Sequence, residues 1–509
     1  MNLINSFLKK GILVSSEVTK NPQLLKKLSD IQDNELKGVF VIDRAFLEKV
    51  LPKKEKDNKD KQQISGTNIE KKQEDKTNIQ TSDLNAGSQV QILSSYNKPP
   101  GKICFNDFVA HFNRRFETLS SFLRQRQEFQ NVTSINRVKN KNDRGSVTLI
   151  GLVYEKTITK NKHIMLTLED PTGTIKVLVS NTKKEMCDFA KDIVLDELIG
   201  IEGVSGGELI FANQIFIPDV PLLKELKKSP EEEYFAVLGD PHFGSKAFLK
   251  KEFENFLEWM NQKKGSPEQR EIASKIKYLI LVGDLVEGVG VYPNQEKDLD
   301  IKDVEEQYDL FANYLKKIPS HIKIIICPGN HDIGRIAEPQ LPIIHKYAQK
   351  LQEFPNVLLL SNPAMINIGA TNDFPGFDVL IYHGYSFIYY ANNIESIRVQ
   401  GGQKKPELIM KFLLQRRHLA PTHTSNLYVP DAEADPMVIN KIPDFFLTGH
   451  IHRVSVNNYK NITLINASCW TDITEDQEKR GLEPQPAKIP VVNLKTREVK
   501  IINFYKEGD

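Results

Sequence analysis

A chain of 509 residues with 40% hydrophobic content has material for two or three domains with ordinary cores. Its 68 Lys and Arg against 66 Asp and Glu leave a formal net charge of +2, so binding a polyanion requires a local basic face, not a global excess. Four widely spaced cysteines (Cys104, Cys187, Cys327, Cys469) without a CxxC pair argue against a zinc ribbon or disulfide scaffold, and no apolar leader or run of about 18 apolar residues suggests secretion or a membrane span. A reducing, cytoplasmic setting is expected.

In chain order, residues 1–50 read as a small helical N-terminal domain, with Leu3, Ile4, Phe7 and Leu8, then Leu24, Leu25 and Leu28, near the helical period. After Leu51-Pro52 the chain turns to Lys, Glu, Asp, Asn, Gln and Thr; residues 51–100 are expected to be a flexible polar linker, because they bury too little apolar surface to offset ordering entropy. A helical connector over 101–144 follows, with Phe108, Phe112, Phe116, Leu119 and Leu123 marking an amphipathic helix over 105–129. From Gly145 the period becomes that of strands. Five strands within 145–222, with a helix over 183–193 after the third, resemble an OB-fold barrel. The strands carry few aromatics, so a partner-docking barrel is at least as well supported as a single-strand binder. Residues 233–509 form the largest unit, where strands at 234–238, 278–282 and 322–327 alternate with helices over 248–260 and 304–315. That alternation predicts a sheet covered by helices, with its site at the carboxyl ends of the strands.

Five segments there place Asp, Asn or His directly after an apolar run: Gly239-Asp240-Pro241-His242, Gly283-Asp284, Gly329-Asn330-His331-Asp332, Tyr382-His383-Gly384 and Gly449-His450-Ile451-His452. A lone GD or HG dipeptide is an ordinary strand-end turn; five such motifs in order are not a coincidence. Phosphodiester hydrolysis needs a strong nucleophile and neutralisation of charge on the phosphoryl oxygens, which two divalent ions supply. Carboxylate, amide-oxygen and imidazole donors suit such ions. Asp284 is the natural bridging carboxylate, and His331 is suited to contact the phosphate or protonate the leaving oxygen, with Asp332 orienting it. Arg335 and Glu287 are further candidates for support of the site or contact with substrate. Around Arg416-Arg417, His418 and His423 a solvated basic turn is expected, with a phosphate-contacting loop as the other reading.

The motifs resemble the calcineurin-like metallophosphoesterase superfamily, whose pattern is D-x-H, GD, GNH[DE], H and GHxH. That resemblance implies an α/β metallophosphoesterase fold, two packed sheets flanked by helices, preceded by the OB-like β-barrel and the small helical N-terminal region. It assigns one ion to Asp240, His242, Asp284 and His452 and the other to Asp284, Asn330, His383 and His450, with His331 as the catalytic imidazole. Mn²⁺ is the first expectation, with Fe²⁺, Zn²⁺ or Mg²⁺ as alternatives. A barrel ahead of this unit is similar to the B-subunits of replicative DNA polymerases. The stretches Gly288–Pro293, Glu338-Pro339-Gln340, Arg416–Pro421 and Pro443–His450 resemble the small subunits of archaeal family-D DNA polymerases. Those are 3′–5′ exonucleases that proofread for a large polymerase subunit, so DNA with a single-stranded or frayed 3′ end and that large subunit are the implied partners. Two departures stand out. Glu287 replaces the histidine that repair nucleases of the superfamily place after the GD motif, and Tyr385 replaces the family's usual basic residue after YHG.

Three other readings compete. A structural B-subunit would not need the retained ligands, a double-strand-break repair nuclease would begin with the phosphoesterase unit, and a small-molecule or phosphoprotein phosphatase would not explain the barrel. A sliding-clamp contact through Gln89, Ile92 and Tyr96 is a weaker expectation, because Ser95 stands where the pattern has an aromatic.

Overall fold

The computed structural model describes Leu13, Val14, Val18, Val41 and Ile42 together with residues 90–140, 144–473 and 483–505. The chain divides into two units, Met1–Ser82 and Asp83–Asp509. In the first, Leu13–Val14 pairs in parallel with Val41–Ile42, and Val18 is buried in a helical position. The expected helices over 1–50 and the polar tether up to residue 89 otherwise lie outside the described residues.

The second unit opens with strand β1 (Gln91–Ser95), which corrects the expectation of a linker reaching residue 100. Ile92 pairs with Ile366 and Ser95 with Ala364, and Tyr96 N donates to Ser361 Oγ at 2.7 Å. The described part of the clamp-like pattern is therefore committed to a sheet edge. Helix α1 (Phe105–Arg124) follows and is shorter than the period suggested. A 3₁₀ turn at Gln127–Phe129 folds Phe129 onto the barrel at Gly200, where a Cβ would stand 2.2 Å from the ring. Leu119, Leu123 and Phe129 pack on Ile150, Leu152 and Leu198, while Phe105 and Phe108 at the start of the helix stay exposed.

Strands β2 (Ser146–Ile158), β3 (Ile164–Asp170), β4 (Gly173–Val179), β5 (Leu198–Ser205) and β6 (Leu209–Phe216) close a barrel in the order β2-β3-β4-β6-β5. Helix α2 (Lys184–Lys191) sits after the third strand, as expected of an OB-fold. Leu149, Val153, Leu166, Leu168, Val177 and Ile201 fill the interior.

The body contains two six-stranded mixed sheets. The first takes β7 (Tyr234–Leu238), β8 (Ile276–Leu281), β9 (Lys323–Ile326) and β10 (Val357–Leu359) in parallel, then β16 (Lys488–Asn493) and β17 (Val499–Asn503) antiparallel. The second has the order β14-β15-β13-β12-β11-β1, with β11 (Ala364–Ile368), β12 (Phe377–Ile381), β13 (Phe445–Thr448), β14 (Ser455–Tyr459) and β15 (Ile462–Asn466). Alternation along the strands decides the layering. Phe235, Val237, Ile280 and Ile325 meet Ile366, Val379, Phe445 and Ile465 in a core between the sheets. Their neighbours face outward: Ala236, Leu238, Leu279 and Ile324 pack under α3 (Lys250–Met260) and α5 (Val304–Leu315), with α4 (Pro267–Ser274) alongside α3. Leu380, Phe446 and Leu464 pack under α6 (Phe387–Asn393) and α7 (Pro406–Arg416). Both faces of each central strand are covered, which is why these strands read as continuous apolar runs.

The expected solvated basic turn at 416–423 is mostly interior. Arg416, Arg417 and His418 are at most 4% exposed. Arg416 pairs with the buried Glu197 of the barrel, Arg417 donates to the carbonyls of Ile439 and Asn440, and His418 Nε2 lies 2.9 Å from Asp435. Only His423 is exposed, paired with Asp196. Charge in the sequence suggested solvent, whereas partners far along the chain neutralise it. Among the described residues no helix is long and apolar enough to cross a membrane.

Candidate metal centre

Strand direction brings the motifs together. β7, β8 and β9 run parallel, and so do β12 and β13 in the facing sheet. Asp240 and His242 follow β7, Asp284 follows β8, Asn330 and His331 follow β9, His383 follows β12, and His450 and His452 follow β13. Side chains at the carboxyl ends of parallel strands share a rim, and here the rims of both sheets meet.

Asp284 Oδ2 lies 3.3 Å from His383 Nε2 and 3.8 Å from His242 Nε2, between two donor groups. Asp240, His242 and His452 form one group, and Asp284, His383 and His450 the other; within each, one ligand atom per residue lies within 4.8 Å of the rest. His242 Nε2 and His452 Nε2 are 3.1 Å apart, and Asn330 Oδ1 is 3.0 Å from His383 Nε2. The seven residues expected as ligands thus lie around one cluster, and a further donor group, His242, Glu287 and His331, overlaps the first.

The backbone is strained to achieve this. Asp240, His242, Asp284, His450 and His452 all have φ between 48° and 67°, a left-handed conformation costing side-chain-bearing residues about 1–3 kcal/mol each. The neighbouring backbone has no room for a side chain. A Cβ on Gly329 would stand 2.2 Å from Asp284 Oδ1, and one on Gly449 2.7 Å from Asp240 Oδ2.

Burial works against charge here, and the pairings decide which groups keep it. The Asp284 carboxyl resists burial and is held well below the usual range by His383, His331 and His242. Burial, reinforced by the charge of Asp284, pushes Asp240 up to about 7 despite His383. Against burial, Asp284 and Asp240 raise His383 to about 10, and Glu287 leads the groups that raise His242 to about 9. Burial and the neighbouring cations push His450 down to about 3, and its Nε2 is buried without a hydrogen-bond partner among the described residues. A neutral, unpartnered imidazole nitrogen beside carboxylates and an amide oxygen is the donor set of a divalent ion. The residues fit a pair of such ions.

The supporting shell differs from expectation in two respects. Asp332 does not hold the His331 ring; it accepts from Gly329 N at 2.8 Å, Leu285 N at 3.2 Å and Tyr308 Oη at 2.9 Å, joining two ligand loops. Glu287 lies against two of the cluster histidines: its carbonyl accepts from His331 Nδ1 at 2.8 Å, and its carboxylate lies 3.1 Å from His242 Nδ1. Arg335 faces away, donating to the Pro339 carbonyl at 2.8 Å beside the Tyr96 ring, and does not line the site cavity. Tyr308, Glu338, Gln340 and Asn362 carried no role in the sequence reading, although Glu338 and Gln340 lie in a stretch it singled out. Asn362 accepts from His383 N at 2.8 Å and donates to Gln340 and Glu338, and Gln340 donates to the Gly329 carbonyl at 2.9 Å. The cavity over the cluster measures about 420 Å³, with Tyr292, Tyr385 and Ile388 in its walls.

The profile of the B-subunit family of DNA polymerases alpha and epsilon matches residues 235–456, and that of an OB-fold nucleic acid binding domain matches 147–206. The chain is 37% identical over 389 residues to the DNA polymerase II small subunit of Methanothermobacter thermautotrophicus, covering 76% of this chain and 77% of that one. It is 37% identical over 402 residues to that of Archaeoglobus fulgidus, covering 79% and 78%. Identity to the Pyrococcus furiosus protein is 36% over 411 residues, 80% of this chain but 65% of that longer relative.

Proposed function

This chain belongs to the family of archaeal DNA polymerase II small subunits, the family-D B-subunits, and from that premise we propose that it is the metal-dependent 3′–5′ exonuclease of such a polymerase, built on a metallophosphoesterase fold. The observation that carries this reading is a pair of donor groups with Asp284 between them, 3.3 Å from His383 and 3.8 Å from His242, at the floor of an open cavity. A B-subunit acting only as scaffold needs neither five left-handed ligand positions nor a buried unpartnered imidazole. One ion would be held by Asp240, His242, Asp284 and His452, the other by Asp284, Asn330, His383 and His450. When bound, two divalent ions, Mn²⁺ first among them, supply a nucleophile at neutral pH and neutralise charge on the phosphoryl oxygens.

The residues of the chain do the rest. His383 Nδ1 donates to the Val282 carbonyl at 2.8 Å, which directs Nε2 into the cluster. The Glu287 carbonyl takes Nδ1–H of His331, so Nε2 is the ring nitrogen left to hold or pass a proton at the leaving oxygen. The large polymerase subunit and a single-stranded or frayed DNA 3′ end are the partners this reading requires. Incubation of the purified chain with 3′-labelled and 5′-labelled single-stranded DNA and Mn²⁺ tests it. Stepwise loss from the 3′ end that disappears in Asp284→Ala is expected; equal cleavage by the variant, or none by the native chain joined to its large subunit, refutes it.

A further inference from the structure

The exonuclease reading leaves open how the cavity distinguishes an unpaired DNA end from a paired one, and its walls bear on this. Neither Lys nor Arg is among the described residues that line it, and Glu287 and Asp298 add negative charge. A duplex gripped by its phosphates requires a row of cations, and the described residues of the wall supply none. What the wall offers is apolar and aromatic surface. Tyr385 is half-buried directly after the ligand loop of His383, and its ring meets that of His450 edge-on at 5.7 Å and 63°. Its hydroxyl makes no hydrogen bond among the described residues, so nothing polar explains its place. Ile388, the second residue of α6, is 41% exposed in the same cavity wall, which Ile451 also lines. Tyr292 is a different kind of wall: its hydroxyl donates to Asp298 at 3.0 Å and Glu287 at 3.2 Å, which pins the ring beside His331.

We infer that Tyr385, backed by Ile388, is the platform on which the terminal nucleobase stacks while its phosphate lies over the metal cluster. This rests on the exonuclease reading and names its substrate class: a strand end whose last base is unpaired. A base within a duplex has both faces covered by its neighbours and must leave the stack to reach the ring. Stacking accepts any base, because every base offers a π-face, as removal of any terminal mismatch requires. A cavity of about 420 Å³ lies within the range that holds a single small ligand.

The test compares two single-stranded DNAs, one ending in an ordinary 3′ nucleotide and one in an abasic 3′ residue, cleaved by the full chain with Mn²⁺. In the native chain KM is expected to be roughly tenfold lower for the base-bearing end, within the known contribution of base–aromatic stacking. That ratio falls to about one in Tyr385→Ala and is kept in Tyr385→Phe. Quenching of a terminal 2-aminopurine on binding is lost in the alanine variant alone. A Tyr385→Ala protein that keeps the native KM ratio and the quenching overturns the inference while leaving the exonuclease reading intact. A native chain that cleaves neither DNA, even with its large subunit, overturns both.

Discussion

Glu287 reaches two functional imidazoles with different atoms, its carboxylate beside His242 Nδ1 and its carbonyl under His331 Nδ1. Backbone contacts survive substitution, whereas side-chain contacts do not. Glu287→Ala should therefore weaken the ion held through His242 by about 10–100-fold, the usual effect of losing a partner behind a ligating histidine. Glu287→Gln should recover part of this, because its amide oxygen can still lie beside Nδ1 of His242. Titration calorimetry with Mn²⁺ checks both: one of two binding events should move, and two unmoved events would show that the carboxylate does not support the ligand. At this scale the clustered residues were legible, because each stands shortly after an apolar run, where a strand must end. Their supporters were not. Tyr308 reads as helix core, and Asn362 acquires its role only when β11 and β12 bring it under His383 N.

Helix α1 is attached to the body by charge as well as by apolar packing. Arg115 Nε lies 2.6 Å from Asp435, which His418 also approaches at 2.9 Å and His111 at 3.3 Å, and all four groups are buried. Removing one partner strands the others without water, so Arg115→Ala should cost about 3–5 kcal/mol in denaturant unfolding. Burial, aided by Arg115, pushes His418 down to about 4 against the pull of Asp435. A depressed histidine contributes stability that is complete above its unfolded value of 6.5 and is lost as pH falls through the folded value. Relative to His418→Gln, the native chain should lose about 3 kcal/mol between pH 7 and 4, and parallel stability curves would refute the assignment. Elements with long apolar runs or a clear period were readable: α5 occupies the span its pattern marked, and the five barrel strands appear in order. β1 was not readable, because five residues with few large apolar groups, next to a polar run, do not announce an edge strand. Nor was the burial of Arg416 and His418, since a sequence shows charges without the distant carboxylates that neutralise them.

Each proposed ion would join the two sheets of the body. Asp240, His242, Asp284 and Asn330 come from loops of the first sheet, and His383, His450 and His452 from loops of the second. The apolar core between the sheets needs no metal, since its residues are almost fully buried. Removing metal should therefore leave a folded chain whose sheet rims hold like charges and left-handed turns without their ligand. An ion that binds only the folded state stabilises it by about 2.7 kcal/mol at a concentration one hundred times its Kd. Two such ions at that saturation should add about 5 kcal/mol, visible as a rise in Tm of several degrees when Mn²⁺ replaces EDTA. The variants separate the sites. His452→Ala should forfeit one increment and His450→Ala the other, whereas Asp284→Ala, which removes the shared carboxylate, should forfeit both. A chain whose Tm ignores Mn²⁺ would show that the rims gather charge without holding metal, whereas an equal loss in all three variants would show that the two ions bind as one unit across the sheets.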